Sequence, residues 1–165
     1  MANTEGLLTL EELAVRVKAG ELETVILAFS DHYGRLLGKR LDAGYFLEEG
    51  ARRGTDACNY LLTVDMEMNP VPGYGFANWE KGFGDFHLAP DLATLRVASW
   101  LEKTALVLCD VRNVKSAQPV PQAPRSILRR QVERAAALGY QAMTASELEY
   151  YLFQTGYREA ASRAY

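Results

Sequence analysis

The chain has 165 residues, 48% of them hydrophobic and 24% charged, with a formal net charge of -3. That is enough for one domain, or for one small domain and part of another, and the composition is that of a folded protein. The slight acidity argues against nucleic acid or an anionic membrane as the main partner, and no apolar run approaches the ~20 residues of a membrane-spanning helix. The start, MANTEGLLTL, has no basic segment followed by an apolar core, so it does not read as a secretory leader. Cys58 and Cys109 are far apart and form no CxxC pair. They are expected to be buried, reduced thiols in a cytoplasmic protein.

TLEELAVRVKAG predicts a helix, with Thr9 as its cap, Glu12 completing a capping box and Gly20 ending it. Leu10, Leu13, Ala14 and Val17 form its apolar stripe. TVILAFSD and RLLGKRLD predict two strands around HYGR, a hairpin in which Gly34 is free to take positive φ. AGYFLEEGARRG predicts a short helix closed by Gly54.

Residues 64–84 hold six prolines and glycines together with Tyr74, Phe76, Trp79 and Phe83. Glycine and proline forbid a long regular element there. A loop so rich in aromatics either carries function or packs back on its domain. Gly73 and Gly75 do not make a phosphate loop, since no GK[ST] follows and no helix opens. DFHLAPD, ATLRVAS and TALVLCDV predict three further strands, giving an α+β domain with helix packed on sheet. His32, in the hairpin loop, and His87, in a strand, read as surface or packing residues. Arg96 is expected to make a local salt bridge or to serve a subunit interface.

KSAQPVPQAP, with three prolines, predicts a linker between domains. Pro124 then opens a helix whose buried stripe is Leu128, Val132 and Ala135, and Gly139 stops it. YQAMTASELEYYLF predicts a strand. Alternation places Glu147, Glu149 and Tyr151 on one face and Leu148, Tyr150 and Leu152 on the other. Two neighbouring carboxylates repel unless a cation lies between them, and Mg²⁺ or Mn²⁺ would suit their oxygens. The same pattern also fits a solvated face or a structural ion network. One helix and one strand cannot bury a core of their own, so the chain is expected to stop inside a larger domain.

Four ordered stretches resemble the glutamine synthetase family. FSDHYGRLLGKR is similar to its first hairpin, and GDFHLAPDLATLRVASW with ALVLCDV to its N-terminal segment. APRSILRRQVERAAALGY is similar to the helix that opens its catalytic domain. SELEYYLF is similar to the first catalytic strand, whose alternate glutamates bind divalent metal. The resemblance implies an N-terminal helix over residues 1–20 and a β-grasp N-terminal domain over 21–114. A linker over 115–123 and the start of an α+β catalytic domain over 124–165 would follow.

The resemblance also implies ATP-dependent ligation of the γ-carboxylate of glutamate to ammonia or an organic amine, through γ-glutamyl phosphate. The implied partners are glutamate, the amine, ATP, Mg²⁺ or Mn²⁺, and copies of the same chain in a dodecameric ring. Glu147 and Glu149 match the metal pair. Asp85 matches an acidic residue that faces the neighbouring subunit's site, and Trp79 a tryptophan of the interface loop. One departure is visible. The ammonia-using pattern has an aspartate shortly before that tryptophan, whereas this chain reads PVPGYGFANW, with no acid between Glu67 and Glu80. An organic amine is therefore the expected acceptor. The other reading is a truncated, non-catalytic homologue that assembles or regulates.

Overall fold

The computed structural model describes residues 6–164. Helix α1 (Leu10–Lys18) begins at the capping box expected of it. Glu12 N donates to Thr9 Oγ1 at 3.1 Å, and Thr9 N to Glu12 Oε2 at 2.7 Å. These two bonds satisfy donors that a helix start leaves free. Leu13 is fully buried and Leu10 and Val17 pack beside it, but Ala14 faces solvent, so the stripe is narrower than the sequence predicts.

Strands β1 (Thr24–Ser30) and β2 (Leu36–Asp42) form the expected antiparallel hairpin. A helical segment in three pieces follows: α2 (Ala43–Tyr45), a π-helix (Phe46–Gly50) and α3 (Ala51–Arg53). Gly54 ends it with φ +63°, and a Cβ there would stand 2.1 Å from Leu88 O. Only glycine fits such a turn against a strand.

The rest of the sheet comes from β3 (Thr55–Cys58), β4 (Asp85–Pro90), β5 (Arg96–Val97) and β6 (Thr104–Asn113). The order is β2-β1-β6-β4-β3, with β5 pairing β6. Strand β6 runs parallel to β1 and antiparallel to β4 and β5, so the sheet is mixed. The predicted strand over ATLRVAS shrinks to two residues, because Leu92–Thr94 coil into a 3-10 turn capped by Asp91. Arg96 makes no salt bridge among the described residues. Its Nε donates to Thr94 O at 2.9 Å.

Alternation along β1 sets the core. Val25, Leu27 and Phe29 face the helical layer, with Leu13, Phe46, Phe86, Leu88 and Val107. Phe29 and Phe86 meet edge to face at 5.1 Å. Ala28 and Leu106 pack a smaller cluster with Ala98.

The proline-rich segment folds back on β6. Val120 N donates to Val111 O at 2.9 Å, and Val120 and Ala123 are buried. Helix α4 (Pro124–Ala137) starts at the expected proline. Its first turns are held by ion pairs from Arg125 to Asp91 and Asp110, and from Arg129 to Asp110 at 2.8 Å. Its predicted stripe is not covered. Leu128 is 64% exposed, Val132 is exposed and Ala135 is half-buried, since no described element packs on that side.

Residues 140–153 form no strand, contrary to the sequence reading. A strand exists through its ladder, and among the described residues nothing pairs with this segment. Helix α5 (Tyr157–Ser162) follows, supported by an Arg163–Glu159 pair at 2.7 Å. No described helix is long and apolar enough to cross a membrane.

Candidate functional site

Two regions carry the predicted site residues. The first is the loop between β3 and β4. Its base is tied down locally: Val71 N donates to Thr63 O at 2.8 Å, and Val64 bridges Pro70. The Asp65 carboxylate accepts from Asn69 N at 2.8 Å and Glu67 N at 3.0 Å. The hydrogen bond from Asn69 N is the main reason its pKa lies below the ordinary value. Farther on, both ends of the Asn78 amide bond within the loop, donating to Tyr74 O at 2.8 Å and accepting from Lys81 N at 2.9 Å. Lys81 Nζ donates to Gly75 O at 2.7 Å.

These bonds hold open a cleft of about 540 Å³, lined by residues that include Pro72, Tyr74, Trp79, Glu80 and Phe83. Trp79 and Phe83 stack edge to face at 4.9 Å, and Tyr60 meets the other side of this cluster, 6.0 Å from Phe83. Trp79 is 78% exposed. The aromatics thus pack on one another and line a cleft, while Trp79 stays largely in solvent. Asp85 follows at the start of β4, exposed and opposite Cys58. The junction before it is closed by Asn59 N donating to Gly84 O at 2.8 Å. Trp79 and Asp85 therefore stand on one loop and the strand it enters.

The second region is residues 140–153. Glu147 and Glu149 are both exposed, and no ion pair or side-chain hydrogen bond engages either among the described residues. Both supply hard oxygen donors, but a divalent cation takes six or more ligands. No group of three His, Cys, Asp or Glu suited to a metal exists among the described residues. The pair fits as part of a donor set. Nothing described joins it to Trp79 or Asp85.

His32 lies exposed in the β1–β2 turn, and His87 Nδ1 is 2.8 Å from Asp56 Oδ1 across β3 and β4. Neither histidine lines the cleft. Cys58 is half-buried, Cys109 fully buried, and both are free. Glu80 is the residue that the sequence reading missed. The departure in sequence lies before Trp79, whereas the loop brings the residue after it into the cleft wall.

The family model described as glutamine synthetase, catalytic domain, matches residues 121–165. Over 153 residues the chain is 48% identical to a gamma-glutamylethanolamide synthetase, GlnA4, of Streptomyces coelicolor, covering 93% of this chain and 33% of that protein. The chain belongs to the glutamine synthetase family. It is also 38% identical over 136 residues to a glutamate–isopropylamine ligase of a Pseudomonas species, covering 82% of this chain and 29% of that one. A solved GmaS–ADP complex shares the fold, with a TM-score of 0.56 at 23% identity, over 76% of this chain and 26% of that one. The chain therefore spans about a third of the length of the curated glutamine synthetase relatives it matches.

Proposed function

We propose that this chain forms the N-terminal part of an ATP-dependent glutamate–amine ligase that prefers an organic amine to ammonia. The observation that carries this reading is the loop before Trp79. It has no acid between Glu67 and Glu80, and it walls an aromatic cleft. The ammonia-using pattern has its carboxylate before the tryptophan, where this loop offers prolines and ring faces that suit an alkyl body. The named activities of the two relatives, an ethanolamide synthetase and an isopropylamine ligase, support it.

The domain division follows the same reading. Residues 1–20 lead into a β-grasp domain over 21–114. Its support is a hairpin, a helical segment and a last strand lying parallel to the first at the centre of the sheet. Residues 115–123 connect to the start of the catalytic domain at 124–165. Glu147 and Glu149 would hold Mg²⁺ or Mn²⁺ together with ligands from elsewhere. Bound there, it would supply neutralisation of the charge that builds on a transferring phosphoryl group. Trp79 and Asp85 face the active site of a neighbouring copy in a dodecameric ring. Two free thiols support a cytoplasmic location.

The test is phosphate release by the full-length gene product with glutamate, ATP and a panel of amines at equal concentration and pH. An organic amine should give the highest kcat/KM. Ammonia giving the highest value would overturn the acceptor reading, and no release with any amine would overturn the ligase.

A further inference from the structure

We propose that Glu80 is the residue that binds the ammonium head of the acceptor, with the rings of the cleft holding its hydrocarbon body; the inference rests on the amine-ligase reading above. Among the lining residues Glu80 alone carries a charge at neutral pH. Its neighbour Lys81 is committed to Gly75 O, and no ion pair engages Glu80 among the described residues. Asn78, the wall's amide side chain, is engaged by Tyr74 O and Lys81 N, which leaves the Tyr74 hydroxyl and the Trp79 indole N–H as the neutral polar groups of the lining. A cation entering the cleft therefore meets one unpaired carboxylate and several apolar or aromatic walls.

That combination selects a chemical class. A carboxylate accepts charge-assisted hydrogen bonds from an ammonium, and an aromatic face attracts the same cation. The exposed Trp79 ring stands perpendicular to Phe83, at an interplanar angle of 80°. A cleft of about 540 Å³ lies in the size range of small-molecule sites. A primary amine with an alkyl or aryl body uses both features. Ammonium ion engages the carboxylate and a ring face but has no hydrocarbon body to bury against the remaining walls. Glu80 thus sets affinity for the charged head, and Tyr74, Trp79 and Phe83 set preference for the body.

Two measurements on the full-length gene product test this. Steady-state phosphate release should show Glu80→Gln raising KM for the preferred amine about tenfold or more, as expected for a lost charge-assisted contact, with KM for glutamate and ATP unchanged. Glu80→Asp, which keeps the charge, should recover most of that loss. Independently of activity, calorimetric titration with n-butylammonium chloride should show binding to the parent that is roughly tenfold weaker in Glu80→Gln. An amine KM and a butylammonium affinity both within about twofold of the parent would overturn the role of Glu80 while leaving the ligase intact. If no amine supports turnover, the ligase reading falls. The butylammonium titration then decides alone: weakened binding in Glu80→Gln supports the site and equal binding overturns it.

Discussion

Arg35 and Asp31 close the β1–β2 turn as one unit, with Nε 2.7 Å from Oδ2. The other Asp31 oxygen accepts from the backbone N–H of Tyr33 at 2.9 Å and of Arg35 at 2.8 Å. The guanidinium also reaches across to the cleft loop, donating to Met66 O at 2.7 Å and Asp65 O at 3.0 Å. Burial of Asp31 works to raise its pKa. The hydrogen bonds and charge of Arg35, with that of Tyr33 N, outweigh it and hold the carboxyl below its ordinary value. One side chain thus ties the hairpin to the base of the aromatic loop.

Asp31→Asn should therefore destabilise the chain by about 2–3 kcal/mol near neutral pH, since it leaves a half-buried guanidinium with a weakened partner. The pH dependence has a definite sign. The folded pKa is depressed, so the stabilisation is fully present above the unfolded value and is lost as pH falls through the folded one. Urea denaturation of both proteins should show a constant gap from about pH 8 to about pH 5, closing below about pH 4. A gap that does not close in acid would show that ionisation of Asp31 is not its source.

Cys109 and Cys58 should differ sharply in reactivity. Cys109 is fully buried in β6, and burial, helped by the charge of Asp110, pushes its thiol up to about 12. The thiolate is the reactive form. Iodoacetamide on the native chain should label Cys58 first, and Cys109 only after denaturant is added. Peptide mapping showing equal labelling of both in the native state would contradict the packing of β6.

Local chemistry made much of this fold legible in the sequence. Thr9 and Glu12 announce their helix because the capping box is complete within four residues. The β1–β2 hairpin follows from two apolar runs around Gly34. Strand β3 was not legible, because TDAC is short and its pairing with β4 lies some thirty residues away, Asp56 against His87. Helix α5 starts at Gly156 without a side-chain cap, so no start signal marks it. For α4, the pattern of Leu128 and Val132 was readable but the element that would cover it was not. Trp79 and Asp85 were singled out by resemblance alone. Glu80 became visible only when the loop closed, since its place in the cleft depends on the bonds made by Asn78 and Lys81.

The uncovered faces have a consequence for the chain in solution. Leu128 on α4 is exposed, and Leu148, Tyr150, Tyr151 and Leu152 are each more than four-fifths exposed. Apolar surface on this scale drives association. The 165-residue chain on its own should self-associate at micromolar concentration and bind a hydrophobic dye. Sedimentation velocity over a dilution series is the measurement, and a dilution-resistant monomer that ignores the dye would refute the expectation. Leu148→Asp with Leu152→Lys should reduce both signals without shifting the urea midpoint, because neither residue touches the core.

Glu147 and Glu149 carry the metal prediction. Residues two apart share a face only when the backbone is extended into a strand. Residues 140–153 have no ladder here, so the pairing that would fix this face must come from another segment. In the full-length gene product, Glu147→Ala and Glu149→Ala should each lower activity by at least roughly 100-fold, beyond what is typical for groups that only orient a ligand. The fold should survive, because both side chains are exposed and unpaired. Loss of activity alone would not separate a ligand from a residue that positions substrate. Calorimetric titration with Mn²⁺ does, because one carboxylate cannot replace two in a set of oxygen donors. Each variant should bind Mn²⁺ more weakly than the parent, and the parent's affinity should fall as the carboxylates protonate in acid. Unchanged Mn²⁺ affinity in both variants would remove the pair from the metal site, whatever their effect on turnover.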